Sequence, residues 1–431
     1  MATKDFDFTK HDPKKTYKSF VKQLVKWYDG GELPSNVGQD LRFVLELQKE
    51  KLKSLGLNMK CESKKTGSID DDTAAIYYDD KIFTNMFYGG NTHMARCIGD
   101  TQKELYKTDG DIGFTTVIQY LKNDTQPDIN MPLCCPNCGA PSKLGELEAS
   151  CKFCGTKFLM DQLYPKVINY FTYTKKDSVE SSSRNKRDLA LMTAIFSVPI
   201  FILSFMVRYL LQRLNLQAAP PPEYRIMSIA SSVIGSVMGG GMLAIVVFII
   251  KKLLETFGLM RKGLRGVGKT GSSLYYDAQI KKYDPEFTSV SFRDKAMSLF
   301  RMAVYSKDTS ELACFRCKCP EKAADIIDAQ FFNFGIDKCN IKDMVCDVDL
   351  TLYLDCIHYR NGKVTEKEDK YRMSMRKKIK NPTDLGFSFS AVNCPSCGAS
   401  FDARNVKACP YCNNPYSHEE YDWIVTDIKP V

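Results

Sequence analysis

Four Cys-x-x-Cys pairs carry the clearest chemistry in this sequence. They form two couples with 12 and 11 residues between the pairs, and their cysteines are Cys135, Cys138, Cys151, Cys154, Cys394, Cys397, Cys409 and Cys412. Two such pairs close together supply four thiolates, which is the ligand set of tetrahedral zinc. Because four protein ligands leave no coordination position open, we expect two zinc ribbons, each holding one structural rather than catalytic ion.

The residue that follows each pair supports this interpretation. Gly139, Gly155 and Gly398 follow three of the pairs, and Asn413 follows the fourth. Glycine and asparagine tolerate the left-handed backbone conformation that such a turn requires. Packed or disulfide-linked cysteines do not explain the paired spacing, and iron in the same thiolate cage is the alternative metal.

Nine of the 17 cysteines lie outside these couples. Cys134 adjoins the first couple and could compete as a ligand, but the two-residue spacing favours its neighbour. A third metal site is left open at Cys314, Cys317 and Cys319, which have no second pair at ribbon distance. The odd count, the length of 431 residues and a charged start without an apolar run argue against a secreted disulfide framework. They favour a reducing compartment.

Alternating residues upstream of the second couple predict a long strand. Residues 346–356 place apolar side chains on one face and polar side chains on the other, which makes Cys346 and Cys356 small core residues. Asn361-Gly362 is the signal for a tight hairpin turn, and residues 371–375 alternate on the return strand.

Helical spacing precedes this hairpin. Residues 292–303 and roughly 320–333 predict two helices. Helices followed by an antiparallel hairpin indicate an α+β domain.

The N-terminal part follows a similar plan. Residues 17–28 and 40–55 have helical spacing, whereas residues 77–88 and 113–121 are strand-like, and the first cysteine couple comes after them. We therefore hypothesise that the chain contains two α+β units, each followed by a ribbon.

Two segments between these units lack charges altogether. Residues 189–207 and 226–250 are each long enough to cross a hydrocarbon core of about 30 Å. A buried core helix is the alternative for one such stretch, but two in tandem around a proline-rich loop predict a transmembrane helical hairpin. In the second segment, small residues four apart let the first helix or another copy approach closely; they are Ser231, Gly235 and Gly239.

Basic residues flank the hairpin on both sides. They are Lys175, Lys176, Arg184, Lys186 and Arg187 before it, and Lys251, Lys252, Arg261, Lys262, Arg265 and Lys269 after it. The positive-inside rule then places both large flanks in the cytoplasm of a multi-pass cell-membrane protein. The net charge of +9 is a mild bias toward anionic partners.

One segment mimics a nucleotide-binding loop. Gly263-Leu-Arg-Gly-Val-Gly-Lys-Thr270 matches G-x-x-x-x-G-K-T, but that motif needs a buried strand before it, and here a membrane helix precedes it. We interpret the segment as a flexible basic loop attracted to anionic lipid. The four histidines form no recognisable catalytic pattern, and His358 is interpreted as structural. We assign no catalytic residue and expect no enzyme.

The second half resembles a known family. The stretch Tyr283-Asp-Pro-Glu-Phe287, residues 292–308 and the paired strands resemble the domain of the matrix-side subunit of the mitochondrial inner-membrane presequence translocase. Cys394-Pro-Ser-Cys397-Gly-Ala and Tyr421-Asp-Trp-Ile-Val resemble the ribbon that closes many bacterial membrane-anchored relatives. The resemblance covers residues 284–428. It implies a cone-shaped, nuclear-transport-factor-like fold and a membrane-proximal role in binding protein or lipid.

These observations predict a membrane-anchored cytoplasmic scaffold with two structural zinc ions, an unknown protein partner and an unknown oligomeric state. The alternatives are a tethered nucleic-acid-binding ribbon protein and a nucleotide-binding enzyme. A nucleic-acid surface usually carries a concentrated basic stripe. The two ribbons hold few basic residues, namely Lys143, Lys152, Lys157, Arg404 and Lys407.

The predicted organisation has seven parts. They are an N-terminal α+β domain (1–130), a ribbon (131–165), a polar linker (166–188), the membrane hairpin (189–250), a basic linker (251–283), the translocase-subunit-like domain (284–390) and a second ribbon (391–431).

Overall fold

The computed structural model describes residues 12–64, 73–78, 82–100, 103–122, 128–159, 163–174, 181–214, 221–381, 383–384, 387 and 391–431. Their arrangement is mixed helix and sheet, so the predicted α+β class is confirmed. The chain divides into two compact units. One joins Met1–Lys175 with Gly266–Val431, and the other is Lys176–Arg265.

The first part of the chain forms an antiparallel sheet with helices before it. Its elements are α1 (Pro13–Tyr28), α2 (Gln39–Ser54), β1 (Asn58–Lys64), β2 (Thr73–Tyr78), β3 (Ile82–Gly99), β4 (Glu104–Leu121), β5 (Pro132–Cys134), β6 (Pro141–Lys143), α3 (Leu144–Ala149) and β7 (Lys166–Thr174). The sheet has the order β1-β3-β4-β7, with β2 also pairing with β3. Asp12 caps α1 by accepting a 2.9 Å hydrogen bond from the backbone of Lys14.

Two long helices follow. They are α4 (Ser181–Arg213) and α5 (Arg225–Ile280). Leu189–Arg213 lies in α4, and Pro222–Ile250 combines the turn before α5 with the first part of that helix. By length and composition, both segments are long and apolar enough to cross a membrane. The most apolar window of the first segment is 0% buried and that of the second is 17% buried.

The last part of the chain forms a second antiparallel sheet. Its elements are α6 (Ser289–Tyr305), β8 (Ile326–Lys342), β9 (Val345–Arg360), β10 (Lys363–Lys378), β11 (Val392–Asn393), β12 (Ser400–Phe401) and β13 (Ile424–Pro430). The large sheet has the order β8-β9-β10-β13. As predicted, the alternating residues 346–356 bury their apolar face, and Asn361 and Gly362 turn the hairpin with φ of 52° and 73°.

The two sheets share one topology. In each, a long hairpin (β3–β4 or β9–β10) is followed by a tetra-cysteine segment. A final strand (β7 or β13) then returns and pairs antiparallel with the second strand of that hairpin. The first strand of each sheet (β1 or β8) pairs with the first strand of the hairpin. Each cysteine segment is therefore an insertion between neighbouring strands of a sheet.

Three segment predictions differ from the structure. Residues 320–333 were expected to be helical, but most of them belong to β8, because pairing with β9 satisfies their backbone groups along its length. Residues 166–174 were placed in a polar linker and instead form β7, and residues 424–430 were placed in a ribbon and instead form β13. Residues 175–180 of the predicted linker lie outside the described part of the chain.

The prediction of a basic loop at residues 263–270 is also wrong. Residues 263–270 lie within α5, which runs without a break to Ile280. A phosphate-binding loop needs a turn between a strand and a helix, and a continuous helix has no such turn. The predicted linker at 251–283 is likewise mostly helical.

The helical hairpin packs through a row of small residues next to the predicted one. Ser236, Gly240 and Ala244 are buried, and a Cβ added at Gly240 would lie 2.7 Å from the backbone nitrogen of Ser197. A Cβ at Gly235 would meet nothing within 4 Å. The contact between the two helices thus depends on the absence of a side chain at Gly240.

The N- and C-terminal sheets belong to one compact unit rather than to the separate domains predicted at 1–130 and 284–390. Helices α2 and α6 contact one another. The buried guanidinium of Arg301 on α6 donates to Asn169 Oδ1 (2.9 Å) and Gln330 Oε1 (3.1 Å), so it joins β7 to β8. Nothing local in the sequence identifies these partners, which are up to 132 residues apart.

Candidate metal centres

The first candidate centre brings together the four cysteines predicted from their spacing. Their sulfur atoms all lie within 4.8 Å of one another. Cys135 Sγ is 3.7 Å from Cys154 Sγ, and Cys138 Sγ is 3.7 Å from Cys151 Sγ. The first cysteine of each pair is buried and the second is exposed, so the cluster lies at the edge of the small ribbon core.

Two knuckle turns give this cluster its shape. The backbone nitrogen of Gly139 donates to the Cys135 carbonyl, and that of Gly155 donates to the Cys151 carbonyl, each at 2.8 Å. Both glycines have positive φ, 74° and 72°. The left-handed residues expected from the sequence are therefore present where the chain turns around the sulfurs.

The second centre repeats this geometry. Cys394 Sγ is 3.6 Å from Cys412 Sγ, and Cys397 Sγ is 3.8 Å from Cys409 Sγ. Gly398 (φ 72°) follows the first pair. In the second pair Asn413 adopts φ of 60°, in agreement with its predicted role as a left-handed residue.

The sulfur spacing fits a tetrahedral metal ion. Sulfurs bound at about 2.3 Å to one zinc ion stand about 3.8 Å apart along each edge of a tetrahedron. The separations of 3.6–3.8 Å match that edge in both clusters. Each cluster could therefore hold one metal ion in four-sulfur coordination, with no position left for a substrate.

The local electrostatics favour thiolate at one cysteine of each cluster and oppose it at Cys135. Hydrogen bonding with the hydroxyl and backbone of Thr156 lowers the pKa of Cys154 to about 6. Hydrogen bonding with the backbone of Cys397 similarly lowers the pKa of Cys394 to about 6. Burial raises the pKa of Cys135 to about 12, so a bound metal has to displace the proton from that sulfur.

The ribbons are fixed to the rest of their compact unit. Arg42 of α2 donates to the carbonyl of Pro136, inside the first knuckle, at 2.8 Å. Asn393 of β11 donates to the carbonyl of Asn130 at 3.1 Å, which connects the second ribbon to the first. The two centres are thus parts of one folded body rather than tethered modules.

The cysteines outside the two clusters include several core residues. Cys346 and Cys356 are fully buried in β9, as predicted. Among the described residues, the sulfurs of Cys314, Cys317 and Cys319 do not form a group of metal-ligand geometry, and Cys314 is buried in the core. Burial raises the pKa of Cys317 and Cys319 to about 11, which keeps both thiols protonated.

His358 makes a third cluster that the sequence did not reveal. With Cys356 and Asp369 it forms a group whose ligand atoms lie within 4.8 Å of one another. Its Nδ1 is 2.9 Å from Asp325 and its Nε2 is 2.7 Å from Asp369. Nitrogen and oxygen ligands of one zinc ion stand about 3.3 Å apart, whereas 2.7 Å is a hydrogen-bond distance. A doubly hydrogen-bonded imidazole describes this cluster better than a metal site.

Comparison of the chain with protein-family models, with curated proteins and with solved structures finds no match.

Proposed function

We propose that this protein is a membrane-anchored scaffold. Its helical hairpin lies in the cell membrane, and its zinc-stabilised α+β unit binds a protein partner on the cytoplasmic side. The exposure of the apolar helices carries the proposal. A core helix of a soluble protein is mostly buried, whereas the most apolar windows here are 0% and 17% buried. Apolar surface of that extent needs lipid to cover it.

The cysteine clusters support a binding role rather than a catalytic one. Zinc in a four-thiolate site supplies folding free energy and rigidity, and it has no open position for a reacting group. The exposed aromatic rings Phe153 and Tyr411 stand at matching positions of the second knuckle in each ribbon. These rings are surfaces that a protein partner could contact.

The resemblance to the translocase subunit adds protein transport as the proposed process, with a cone-shaped second domain. A membrane or secretory protein is then the expected partner. The basic residues that follow the second apolar segment would add attraction to anionic lipid, about 1 kcal/mol for each Lys or Arg near the surface.

Alkaline carbonate extraction tests the membrane anchor. The full chain should stay in the membrane pellet, whereas a chain with residues 189–250 replaced by a flexible linker should be released. Release of the full chain would show that the apolar helices do not span the bilayer, and the proposal would fail.

Site-specific photo-crosslinking in intact membranes tests the partner and the orientation. A photoreactive residue at Tyr411 should capture a defined cytoplasmic protein. The same residue at the exposed Tyr224, in the turn just before α5, should not capture it. Identical products from both positions, or none from Tyr411, would count against a cytoplasmic scaffold.

A further inference from the structure

A cavity of about 90 Å³ lies in the compact unit where the N-terminus of α2 meets β7 and α6. Its walls include Gln39, Lys166, Phe287, Phe292 and Trp423. None of its described lining residues is a cysteine of either cluster, and no motif predicted it. Ligand binding in this cavity does not depend on membrane attachment, so its failure would not count against the proposed scaffold function.

A close approach of two backbones forms one wall. The backbone nitrogen of Gly38 donates to the Val167 carbonyl at 2.7 Å, and that of Val167 donates to the Asn36 carbonyl at 2.9 Å. A Cβ on Gly38 would lie 3.3 Å from the Cα of Ile168, so only glycine permits this fit without displacement. The contact holds the first turn of α2 against the start of β7. Those first-turn N–H groups have no acceptor within the helix.

One buried donor on this wall lacks a hydrogen-bond partner, and a wall lysine lacks an ion pair among the described residues. Gln39 is 6% exposed, and its Nε2 makes no hydrogen bond among the described residues. Lys166 is also 6% exposed, and its ammonium has no ion pair or hydrogen bond within the described part of the chain. Its Nζ lies 4.8 Å from the centroid of the Tyr164 ring. A buried amide donor without an acceptor is costly, so an anionic acceptor in the cavity would satisfy Gln39 Nε2 and would be attracted to Lys166.

Three of the four wall carboxylates among the described residues are in ion pairs, two of them with the same lysine. Lys295 Nζ lies 2.8 Å from Asp40 Oδ2 and 2.6 Å from Asp422 Oδ2. Arg293 Nη2 lies 2.8 Å from Asp294 Oδ1. Asp384, the remaining acid in the wall, also takes part in a polar or electrostatic interaction. Of the two lysines in the described part of the wall, Lys295 is paired and Lys166 is not. The nearby acids would oppose a ligand of charge −2 more than one of charge −1.

We propose that this cavity binds a small organic monocarboxylate. The carboxylate would accept hydrogen bonds from Lys166 and Gln39 and from the first turn of α2, whose positive helix end favours an anion. The short apolar body of the ligand would pack against Phe287, Phe292 and Trp423. A volume of about 90 Å³ suits an acid with few carbon atoms rather than a long acyl chain.

Saturation-transfer NMR on the full, zinc-loaded chain in detergent micelles tests this proposal with isobutyrate as the probe. Isobutyramide is a neutral isostere and serves as the matched control ligand. We expect saturable isobutyrate binding that is about tenfold tighter than isobutyramide binding, because charge-assisted hydrogen bonds distinguish the two. Inorganic phosphate should displace isobutyrate poorly.

Variants separate the specific site from general charge effects. Lys166→Gln should weaken isobutyrate binding about tenfold. Lys107→Gln, which changes an exposed lysine of β4, should leave it unchanged. Lys166→Arg keeps the charge and Gln39→Leu removes only the amide, so these two variants decide the matter if Lys166→Gln does not fold. Four results would overturn the proposal: no saturable binding, equal binding of acid and amide, equal effects of Lys166→Gln and Lys107→Gln, or tighter binding of phosphate.

Discussion

At the scale of single residues, each tetra-cysteine cluster divides its ligands between core and surface. In the first cluster Cys135 and Cys151 are buried and belong to the small ribbon core, while Cys138 and Cys154 are exposed. Removing a buried ligand therefore affects both the metal and the packing around it. The neighbouring Cys134 is also buried but lies outside the cluster, which makes it a natural control.

We predict that Cys151→Ser lowers the bound zinc from two ions to one per chain and unfolds the first ribbon. Structural zinc contributes about 10–16 kcal/mol to the folding of small zinc domains, more than the apolar core of such a ribbon can supply. Elemental analysis of the purified chain measures the zinc. Cys134→Ser should retain both ions, and loss of zinc from that variant would mean that the ligand set is misassigned.

His358 gives a second prediction, which concerns pH. Burial lowers its pKa, but hydrogen bonds with Asp369 and Asp325 outweigh burial and hold the pKa above its usual range. The folded protein therefore binds this proton more tightly than the unfolded chain, whose histidine pKa is about 6.5. The resulting stabilisation is fully present below about pH 6.5 and is lost as the pH rises through the folded pKa.

We expect the denaturant concentration at the unfolding midpoint to decrease as the pH rises above about 6.5 in the native chain. His358→Asn, which cannot titrate, should flatten this part of the profile. NMR of the imidazole protons would report the pKa directly. A folded pKa at or below the usual histidine value would contradict the ion pairs described here.

At the scale of elements, the helical hairpin depends on one glycine. The buried row Ser236, Gly240 and Ala244 lets α5 approach Ser197 of α4, while Gly235 on a neighbouring face has open space around it. The sequence correctly indicated that small residues mediate helix contact, but the spacing fits two adjacent rows equally well. Which row faces the other helix depends on the rotation of α5, and local periodicity does not fix that rotation.

We predict that Gly240→Val separates the helices of the hairpin and that Gly235→Val does not. A branched side chain at Gly240 would collide with Ser197, and overpacking of this kind costs about 1–3 kcal/mol. Oxidative cross-linking of a Thr193→Cys, Gly241→Cys pair measures the contact, because the added Cβ of Gly241 lies 3.8 Å from Thr193. The hairpin contains no native cysteine, so the product is unambiguous by mass spectrometry. Equal cross-linking of both glycine variants would refute the packing.

The sheets show which elements a sequence can predict. The sequence predicted strand β9 together with the residues of its buried face, because alternation with period two is a local property of residues 346–356. Strand β8 was mistaken for a helix, and β7 was placed in a linker, because pairing with distant strands determines both. The same holds for the sites. Cysteine spacing located both tetra-cysteine clusters, whereas the cavity lined by Gln39, Lys166 and Trp423 is formed by residues brought together only in the fold.

At the scale of the whole molecule, a buried ion pair links the two sheets of the compact unit. Arg96 of β3 donates to Asp328 of β8 at 2.7 Å, and their side chains are only 14% and 2% exposed. Gln48 and Gln330 also donate to Asp328 Oδ1, at 3.2 and 3.0 Å. The two topologically matching halves therefore share a polar network in their common interior.

We predict that Arg96→Met destabilises the compact unit by about 3–5 kcal/mol, because it leaves the carboxylate of Asp328 buried without a cation. Asp328→Asn removes that charge, so the double variant should lose less stability than the two single variants together. Arg376→Met is the matched control, since the Arg376–Asp347 pair has the same 2.7 Å separation but is 45% and 40% exposed. An exposed pair contributes about 0–1 kcal/mol. Denaturant unfolding followed in both halves measures these effects. Loss of stability confined to the N-terminal half would mean that the halves fold independently, whereas a shared transition follows from a core that they build together.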